Sequence, residues 1–239
     1  MTIAEFNAAT IQEKYDNLGF QSGWTFLCCN ADRLKDARIA IVGLNPGGRD
    51  DEGPYGKHWA TGHNPYYDEF WGGKNASGKD LHDRLQLQIQ KWHDLAGIGP
   101  EESLCAQFVP FRTRDWEGVT KRAGLEAEVL AFSRNLWAAV LSSCSAKVFI
   151  TMGKVPAREL AMLLNASPEP TKLVTGWGSA TIDLYAADDG RRVIGMPHPS
   201  RYTLFHRADG ESGVAEQNFL IALGTNSTHA RPIGKPGPS

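Results

Sequence analysis

The chain of 239 residues lacks the features that define several whole classes of protein. No apolar run approaches the roughly 20 residues that a membrane-spanning helix needs. Its N-terminal stretch is acidic and amphipathic, without the basic and apolar regions of a secretory signal. The formal net charge is only −2 at pH 7, so nucleic acid would have to bind at a local basic patch. We therefore expect a cytoplasmic protein that does not bind membranes.

Cysteine patterns that bind metals are also missing. The four cysteines are Cys28, Cys29, Cys105 and Cys144, and the first two are adjacent, which excludes a CxxC knuckle. No His-x3-His pair supplies further ligands for a zinc site. Buried free thiols that pack as small hydrophobic groups are the expected state. The sequence therefore predicts neither a metal site nor a cofactor.

The length and composition indicate one large domain and a short tail. Hydrophobic residues make up 41% of the chain and charged residues 22%, as in ordinary globular proteins. We expect a single monomeric domain over residues 1–224. Residues 225–239 are rich in Pro, Gly and Ser and almost without apolar side chains, so we expect a disordered tail.

Within the domain, short apolar runs alternate with segments whose apolar residues recur at helical spacing. The apolar runs predict strands within residues 37–44, 103–111, 146–153, 181–185 and 191–197. The periodic segments predict helices at residues 80–97, 125–143, 154–165 and 213–224. This alternation is typical of an α/β protein, and we predict a three-layer αβα fold with a central, mostly parallel sheet of four to five strands.

Polar or rigid segments follow four of these strands. They occupy residues 43–48, 107–112, 151–154 and 196–202. In parallel sheets the carboxyl ends of the strands share one edge, where ligands bind. Proline on both sides of His198 restricts the backbone around that imidazole, which suits a positioned functional group. We therefore expect the polar side chains of these segments to converge on one pocket.

Two of these segments carry a family resemblance. The pentad GLNPG at residues 43–47 resembles the first motif of the uracil-DNA glycosylase superfamily. It is most similar to the GINPG and GMNPG forms of its mismatch-specific and single-strand-selective branches. The HPS triplet at residues 198–200 resembles the second motif, and VFITMGKVPAREL at 148–160 is similar to the segment between them. The order and separation match across roughly residues 24 to 224. The resemblance implies an enzyme that hydrolyses the N-glycosidic bond of a damaged base in DNA.

The same resemblance implies a role for individual residues of the site. Asn45 would hold the attacking water, and His198 would donate a hydrogen bond to the departing pyrimidine. Gly43, Tyr66 and Gln107 would bind the flipped base, with Tyr66 as the aromatic platform. The family has Asn where this chain has Gln107, which offers the same donor and acceptor on a longer arm.

Contacts to DNA outside the base pocket are also implied. Lys154, Ser200, Arg201 and Tyr202 would contact the DNA, and Arg201 or Tyr202 would fill the gap that the flipped nucleotide leaves. Branches with an iron–sulfur cluster carry Cys at the position of Phe111, so the resemblance implies no cluster in this chain.

Ordinary structural explanations stay open for each residue. Asn45 could be a loop cap, His198 a structural histidine, and Tyr66 part of a packed aromatic cluster. For the whole chain, we weigh uracil excision against excision of another base such as hypoxanthine or a substituted uracil. A non-catalytic nucleic-acid-binding relative is a further alternative. An α/β enzyme for a small nucleotide or phosphate is disfavoured, because no Walker motif or GxGxxG follows the first predicted strand.

Overall fold

The computed structural model describes residues 7–47, 56–205 and 212–225, and it contains one eight-stranded mixed sheet in the strand order β3-β1-β4-β2-β5-β8-β7-β6. The strands are β1 Trp24–Leu27, β2 Ile39–Gly43, β3 Lys57–Ala60, β4 Ser103–Gln107, β5 Val148–Met152, β6 Thr171–Val174, β7 Thr181–Ala186 and β8 Arg192–Met196. The helices are α1 Ala8–Asn17, α2 Arg33–Asp36, α3 Pro65–Asp68, α4 Arg84–Ala96, α5 Glu117–Thr120, α6 Leu125–Ser143, α7 Lys154–Leu163 and α8 Ser212–Leu223, with a 3-10 turn at Pro100–Glu102. The predicted tail lies outside the described residues, except for Thr225.

The four central strands, β4, β2, β5 and β8, are all parallel, which confirms the α/β prediction. Flanking strands widen the sheet beyond four or five strands. β1 runs antiparallel to β4 and parallel to β3, and the antiparallel pair β6–β7 extends the other side from β8. The sequence patterns missed β1, β3 and β6, which have four residues each. β3 and β6 lie at the edges and are largely exposed, so they carry no continuous apolar run.

The carboxyl ends of the parallel strands are aligned by their register. Gly43 pairs with Gln107 across β2 and β4, and Met152 pairs with Met196 across β5 and β8. The pairing of β2 with β5 runs through Val42. All four strands therefore end at one edge of the sheet, as the sequence predicts for the segments that follow them.

Local sequence signals explain where the long helices begin and end. α4 begins after Asp83, whose side chain accepts from the N–H of Gln86 while Gln86 bonds back to the N–H of Asp83, a complete capping box. It ends at Gly97, which adopts a left-handed conformation with φ of 64°. α7 follows Gly153, whose φ of 97° is accessible to glycine and strained for other residues.

Helices pack on both faces of the sheet and complete the three layers. α7 contacts β5, β7 and β8 and pairs with α6, whereas α8 contacts β6, β7 and β8 and pairs with α4. Arg134 of α6 makes a two-pronged ion pair with the buried carboxylate of Glu159 on α7, at 2.6 and 3.1 Å. Within the described ranges, no helix is long and apolar enough to cross a membrane.

The imidazole of His93 on α4 is buried in a neutral form. Its Nε2 lies 2.9 Å from the hydroxyl of Ser103, which itself donates to the carbonyl of Pro100, so Nε2 must be the donor. The Nδ1 atom has no hydrogen-bond partner among the described residues. Burial lowers the pKa of His93 from 6.5 to about 4. Protonation therefore places a charge in the core, which the carboxylates of Asp94 and Glu101 offset only in part.

We expect acid to destabilise the fold through His93. Its folded pKa lies below the unfolded value, so the stabilisation is complete above pH 6.5 and is lost as the pH falls from 6.5 towards 4. The loss should amount to about 3 kcal/mol, measured by urea unfolding at a series of pH values. His93→Gln should flatten this slope, while His58→Asn at an exposed position should retain it. An equally steep slope in His93→Gln would assign the acid sensitivity to other groups.

Candidate active site

The first-motif loop is held by the chain that follows β4. The amides of Phe108 and Val109 donate to the carbonyls of Gly43 and Leu44 at 2.8 and 2.7 Å, which continues the β2–β4 pairing past the strand ends. Farther along, the guanidinium Nε of Arg112 donates to the carbonyl of Gly47 at 2.9 Å. The loop that carries Asn45 therefore has a fixed position at the edge of the sheet.

The side-chain amide of Asn45 is oriented by three oxygen atoms. Its Nδ2 donates to the Thr113 hydroxyl at 2.8 Å, to the Pro46 carbonyl at 3.1 Å and, at a longer 3.4 Å, to the Thr113 carbonyl. Its Oδ1 has no hydrogen-bond partner in the described part of the chain, and the residue is half-buried. Asn45 therefore presents an acceptor that none of the described residues uses.

The imidazole of His198 is half-buried, and its hydrogen bonds define its tautomer. Nδ1 lies 3.3 Å from the backbone N–H of Ser200, which can only donate, and 2.8 Å from the Ser200 hydroxyl. Because Nδ1 accepts, the proton of a neutral ring resides on Nε2. Burial and, secondarily, the charge of Arg201 lower the pKa of His198 below 6.5. His198 is therefore a neutral imidazole with an Nε2–H donor at pH 7.

The loop around His198 is fixed at both ends. The carbonyl of His198 accepts from the amides of Arg201 and Tyr202 at 2.9 and 3.1 Å, which closes a tight turn. Farther along, the buried side chain of Gln88 on α4 bonds both the carbonyl and the amide of Phe205, at 2.9 and 3.0 Å. Both polar groups of Gln88 are satisfied, so this contact positions the loop without being available to a ligand.

Gln107 is the last residue of β4, and its side chain has an acceptor without a partner in the described ranges. The residue is only 7% exposed, and no described residue donates to its Oε1. Its Nε2 makes a weak contact with the Cys28 sulfur at 3.5 Å. A Cβ on Gly43 would overlap Oε1, so the absence of a side chain at Gly43 leaves the space that this amide occupies. A buried, unpaired carbonyl at the edge of a sheet is a group that a ligand N–H can satisfy.

Tyr66 lies close to this amide, on the short helix α3. It is buried, and its ring makes an edge contact with Trp71 at a centroid distance of 5.7 Å. Burial raises the pKa of its phenol well above 10, an effect that the neighbouring Gln107 amide partly offsets. The structure therefore places Tyr66 beside Gln107, within an aromatic cluster; the stacking role remains a prediction.

The predicted DNA contacts have different environments. Lys154 is exposed at the start of α7, 3.8 Å from the buried carboxylate of Asp183. Arg201 is exposed, whereas Ser200 directs its hydroxyl to His198. Tyr202 is half-buried and makes an edge contact with Trp177 at 6.2 Å. Ser200 therefore has an intramolecular role besides any contact with DNA.

Sequence reasoning missed Thr113 and Trp177 as neighbours of the site. Thr113 is 68 positions from Asn45, and Trp177 lies in the turn between β6 and β7. Neither belongs to a motif, so the sequence contains no signal for them. An open cleft of about 370 Å³ also borders Thr113, lined by Gly19, Phe20, Gln21, Ser22, Arg112, Arg114, Asp115, Gly118 and Arg122.

The cysteines that the sequence predicts as free thiols are free. Burial raises the pKa of Cys28 to about 12 and that of Cys29 to about 11, so both remain protonated and unreactive at neutral pH. Over the described ranges, no three His, Cys, Asp or Glu side chains group closely enough to hold a metal ion.

The fit between Gly43 and Gln107 can be tested by enlarging the side chain at position 43 and shortening the one at position 107. Gly43→Ala should displace the Gln107 amide and weaken base binding, because the added methyl occupies the position of Oε1. Gln107→Asn shortens the arm by one methylene, so the double variant should bind better than Gly43→Ala alone. Affinity for an oligonucleotide with one modified base, measured beside thermal unfolding, is the check. Equal affinity of wild type and Gly43→Ala would show that the contact does not shape the site.

The site therefore combines a GLNPG loop with a free amide oxygen and an HPS turn with a neutral imidazole donor at the carboxyl edge of a parallel sheet. None of the curated proteins compared with the chain matches it. The family model described as the uracil DNA glycosylase superfamily matches residues 32–221, which include both motifs and all four central strands. The chain belongs to the uracil DNA glycosylase superfamily.

Proposed function

We propose that this protein is a monofunctional DNA glycosylase that hydrolyses the N-glycosidic bond of uracil, or of a related deaminated base, in base excision repair. The observation that carries the proposal is a set of three polar groups at one edge of the sheet that have no hydrogen-bond partner among residues 7–47, 56–205 and 212–225: Oδ1 of Asn45, Oε1 of Gln107 and Nε2–H of His198. Each corresponds to one requirement of the reaction.

Asn45 serves the attacking water. Oδ1 accepts a hydrogen bond from the water and directs a lone pair towards the anomeric carbon. An amide has no useful basicity, so it orients the water without removing its proton. Such a device suffices when the glycosidic bond breaks ahead of nucleophilic attack, which favours a base that leaves readily as an anion. Uracil satisfies this condition.

His198 serves the leaving group. As the bond breaks, negative charge accumulates on the base, and a donor already in place stabilises that charge in the transition state. The Nε2–H of a neutral imidazole supplies the donor, and the two bonds from Ser200 to Nδ1 hold the ring in position. His198 therefore lowers the barrier through hydrogen bonding and is not required to transfer a proton.

Gln107 reads the edge of the flipped base. A uracil imide places one N–H between two carbonyl groups, so Oε1 accepts from the N–H while Nε2 donates to a carbonyl. The sulfur contact of Nε2 is weak and does not strongly fix the amide. Hypoxanthine also places an N–H beside a carbonyl, and it is the second candidate base for that reason. Tyr66 would support the base from within the same pocket.

The DNA outside the pocket would be held by the exposed groups near the two motif loops. Lys154 and Arg201 are exposed cations that suit phosphate contacts. Tyr202 follows the HPS turn, where a side chain would enter the space left by the flipped nucleotide. These contacts hold DNA that contains the damaged base, and we propose that the protein acts on it as a monomer in the cytoplasm.

Single-turnover cleavage of an oligonucleotide panel tests the activity. Each oligonucleotide contains one uracil, substituted uracil, hypoxanthine or unmodified base, in single- and double-stranded form. We expect release of uracil and stable abasic product without strand scission. Asn45→Ala and His198→Ala should each lower the rate constant by roughly 10²–10³ with binding nearly unchanged. Binding without cleavage across the whole panel would instead favour a non-catalytic DNA-binding relative.

The acid limb of the pH profile should report His198. Because the pKa of His198 lies below 6.5, most of the rings are neutral at pH 6.5, and the single-turnover rate should fall in more acidic solution. Protonation at Nδ1 removes the acceptor that the backbone N–H of Ser200 bonds and places a positive charge in the half-buried ring. Arg201→Ala removes a charge that contributes to the lowered pKa, so its acid limb should move to higher pH. A profile unchanged in His198→Ala would mean that another group titrates.

A further inference from the structure

We propose that Thr113 is the positioning residue that orients the Asn45 amide towards the attacking water. This inference rests on the proposed function. Thr113 lies in the segment after β4, outside both sequence motifs, yet it supplies two of the three acceptors that surround the Asn45 nitrogen. The shorter contact, 2.8 Å from Nδ2 to Oγ1, is well within hydrogen-bond range.

The direction of the Thr113 hydroxyl is set by a second contact. Its proton is donated to the carbonyl of Asp115 at 2.8 Å, which leaves a lone pair of Oγ1 facing Asn45. The Asp115 carboxylate in turn accepts from the amide of Gly118 at 3.1 Å and so stabilises the turn. The hydroxyl of Thr113 is therefore an acceptor for Asn45.

The Asn45 amide consequently has one favourable orientation. If the amide rotated by 180°, Oδ1 would face the carbonyl oxygens of Pro46 and Thr113, which repel it. The Thr113 hydroxyl could then bond to Oδ1 only by giving up its bond to the Asp115 carbonyl. In the observed orientation, all three oxygens face Nδ2 and Oδ1 points elsewhere. Thr113 thus decides which end of the amide the water meets.

This orientation matters more for an amide than for a carboxylate. A carboxylate presents an acceptor oxygen in either orientation, whereas a rotated Asn45 would offer the water two N–H donors. The water would then direct a lone pair towards Nδ2 and away from the sugar. Since the amide contributes position and no basicity, loss of orientation removes much of its effect.

The backbone also joins Thr113 to the first motif. Its amide donates to the carbonyl of Pro46 at 3.3 Å, beyond the two bonds that continue the β2–β4 pairing at Phe108 and Val109. Asn45 and Thr113 are therefore on two segments that move as one unit. Removal of the hydroxyl alone should leave this backbone contact intact.

The test compares two substitutions at Thr113. Thr113→Val keeps the shape and removes the hydroxyl, whereas Thr113→Ser retains it. We expect Thr113→Val to lower the single-turnover rate on uracil oligonucleotide by roughly 10-fold or more, with unchanged DNA affinity, as for loss of orientation at a reacting group. The single-turnover rate of Thr113→Ser should remain within about threefold of the wild-type rate. If Thr113 were needed only for the packing of its methyl group, Thr113→Ser would lose activity as well.

A double-mutant cycle identifies the residue through which Thr113 acts. In an Asn45→Ala background, Thr113→Val should cause no further loss, because the amide that it orients is absent. In a His198→Ala background, it should cause its full loss. Equal losses in both backgrounds, or a Thr113→Val enzyme as fast as wild type, would overturn the proposal.

A nuclear magnetic resonance measurement keeps the proposal testable without activity. The side-chain amide of Asn45 should exchange its protons slowly in wild type and in Thr113→Ser, and faster in Thr113→Val. If wild type excises no base but this difference is present, the proposed function fails while the orientation of Asn45 by Thr113 stands. Identical exchange in all three proteins would overturn the orientation itself, whatever the activity.

Discussion

In-register parallel pairing of β4, β2, β5 and β8 is the constraint on which the candidate site depends. Because Gly43 pairs with Gln107 and Met152 with Met196, the four strands end together. The segments that follow them are thereby brought to one edge, although Asn45 in the first and His198 in the last lie more than 150 positions apart in the chain. A register shift in one of these pairs would move one polar group away from the others.

The site combines satisfied and unsatisfied polar groups in a defined way. Asn45, His198 and Gln107 each use one end of the side chain for an internal contact, and no residue that the structure describes bonds to the other end. The internal contacts orient Asn45 and His198, whereas the weak sulfur contact holds Gln107 less firmly. Gln88 differs from these three residues, because both ends of its side-chain amide bond to the backbone of Phe205. Its role is to hold the HPS turn in place.

The neutral state of the two buried imidazoles also follows from their surroundings. The imidazole of His93 donates a hydrogen bond to the Ser103 hydroxyl, and that of His198 accepts from Ser200. Despite these different bonds, burial lowers the pKa of both imidazoles. One histidine stabilises α4 against β4, and the other presents a donor at the edge of the sheet. The same electrostatic cost of a buried charge therefore affects both stability and the candidate chemistry.

Much of the fold and part of the site could be predicted from the sequence. Apolar runs and helical periodicity located β2, β4, β5, β7 and β8 and the four long helices α4, α6, α7 and α8, because these elements bury one continuous face. The GLNPG and HPS segments pointed to Asn45 and His198 through their resemblance to the two motifs of the family. The edge strands β3 and β6 were missed, because exposed four-residue strands have no such pattern.

Only the tertiary structure decided how the functional groups are oriented. By itself the sequence determined the α/β class, the positions of the polar segments that follow the strands, and the two motifs with Asn45 and His198. Each of these depends on residues that are close together in the chain. The free oxygen of Asn45 depends on Thr113, 68 positions away, and the space for Gln107 depends on the missing side chain of Gly43. The tautomer of His198 follows from the direction of the Ser200 amide. Such contacts join residues through space, and no spacing along the chain encodes them.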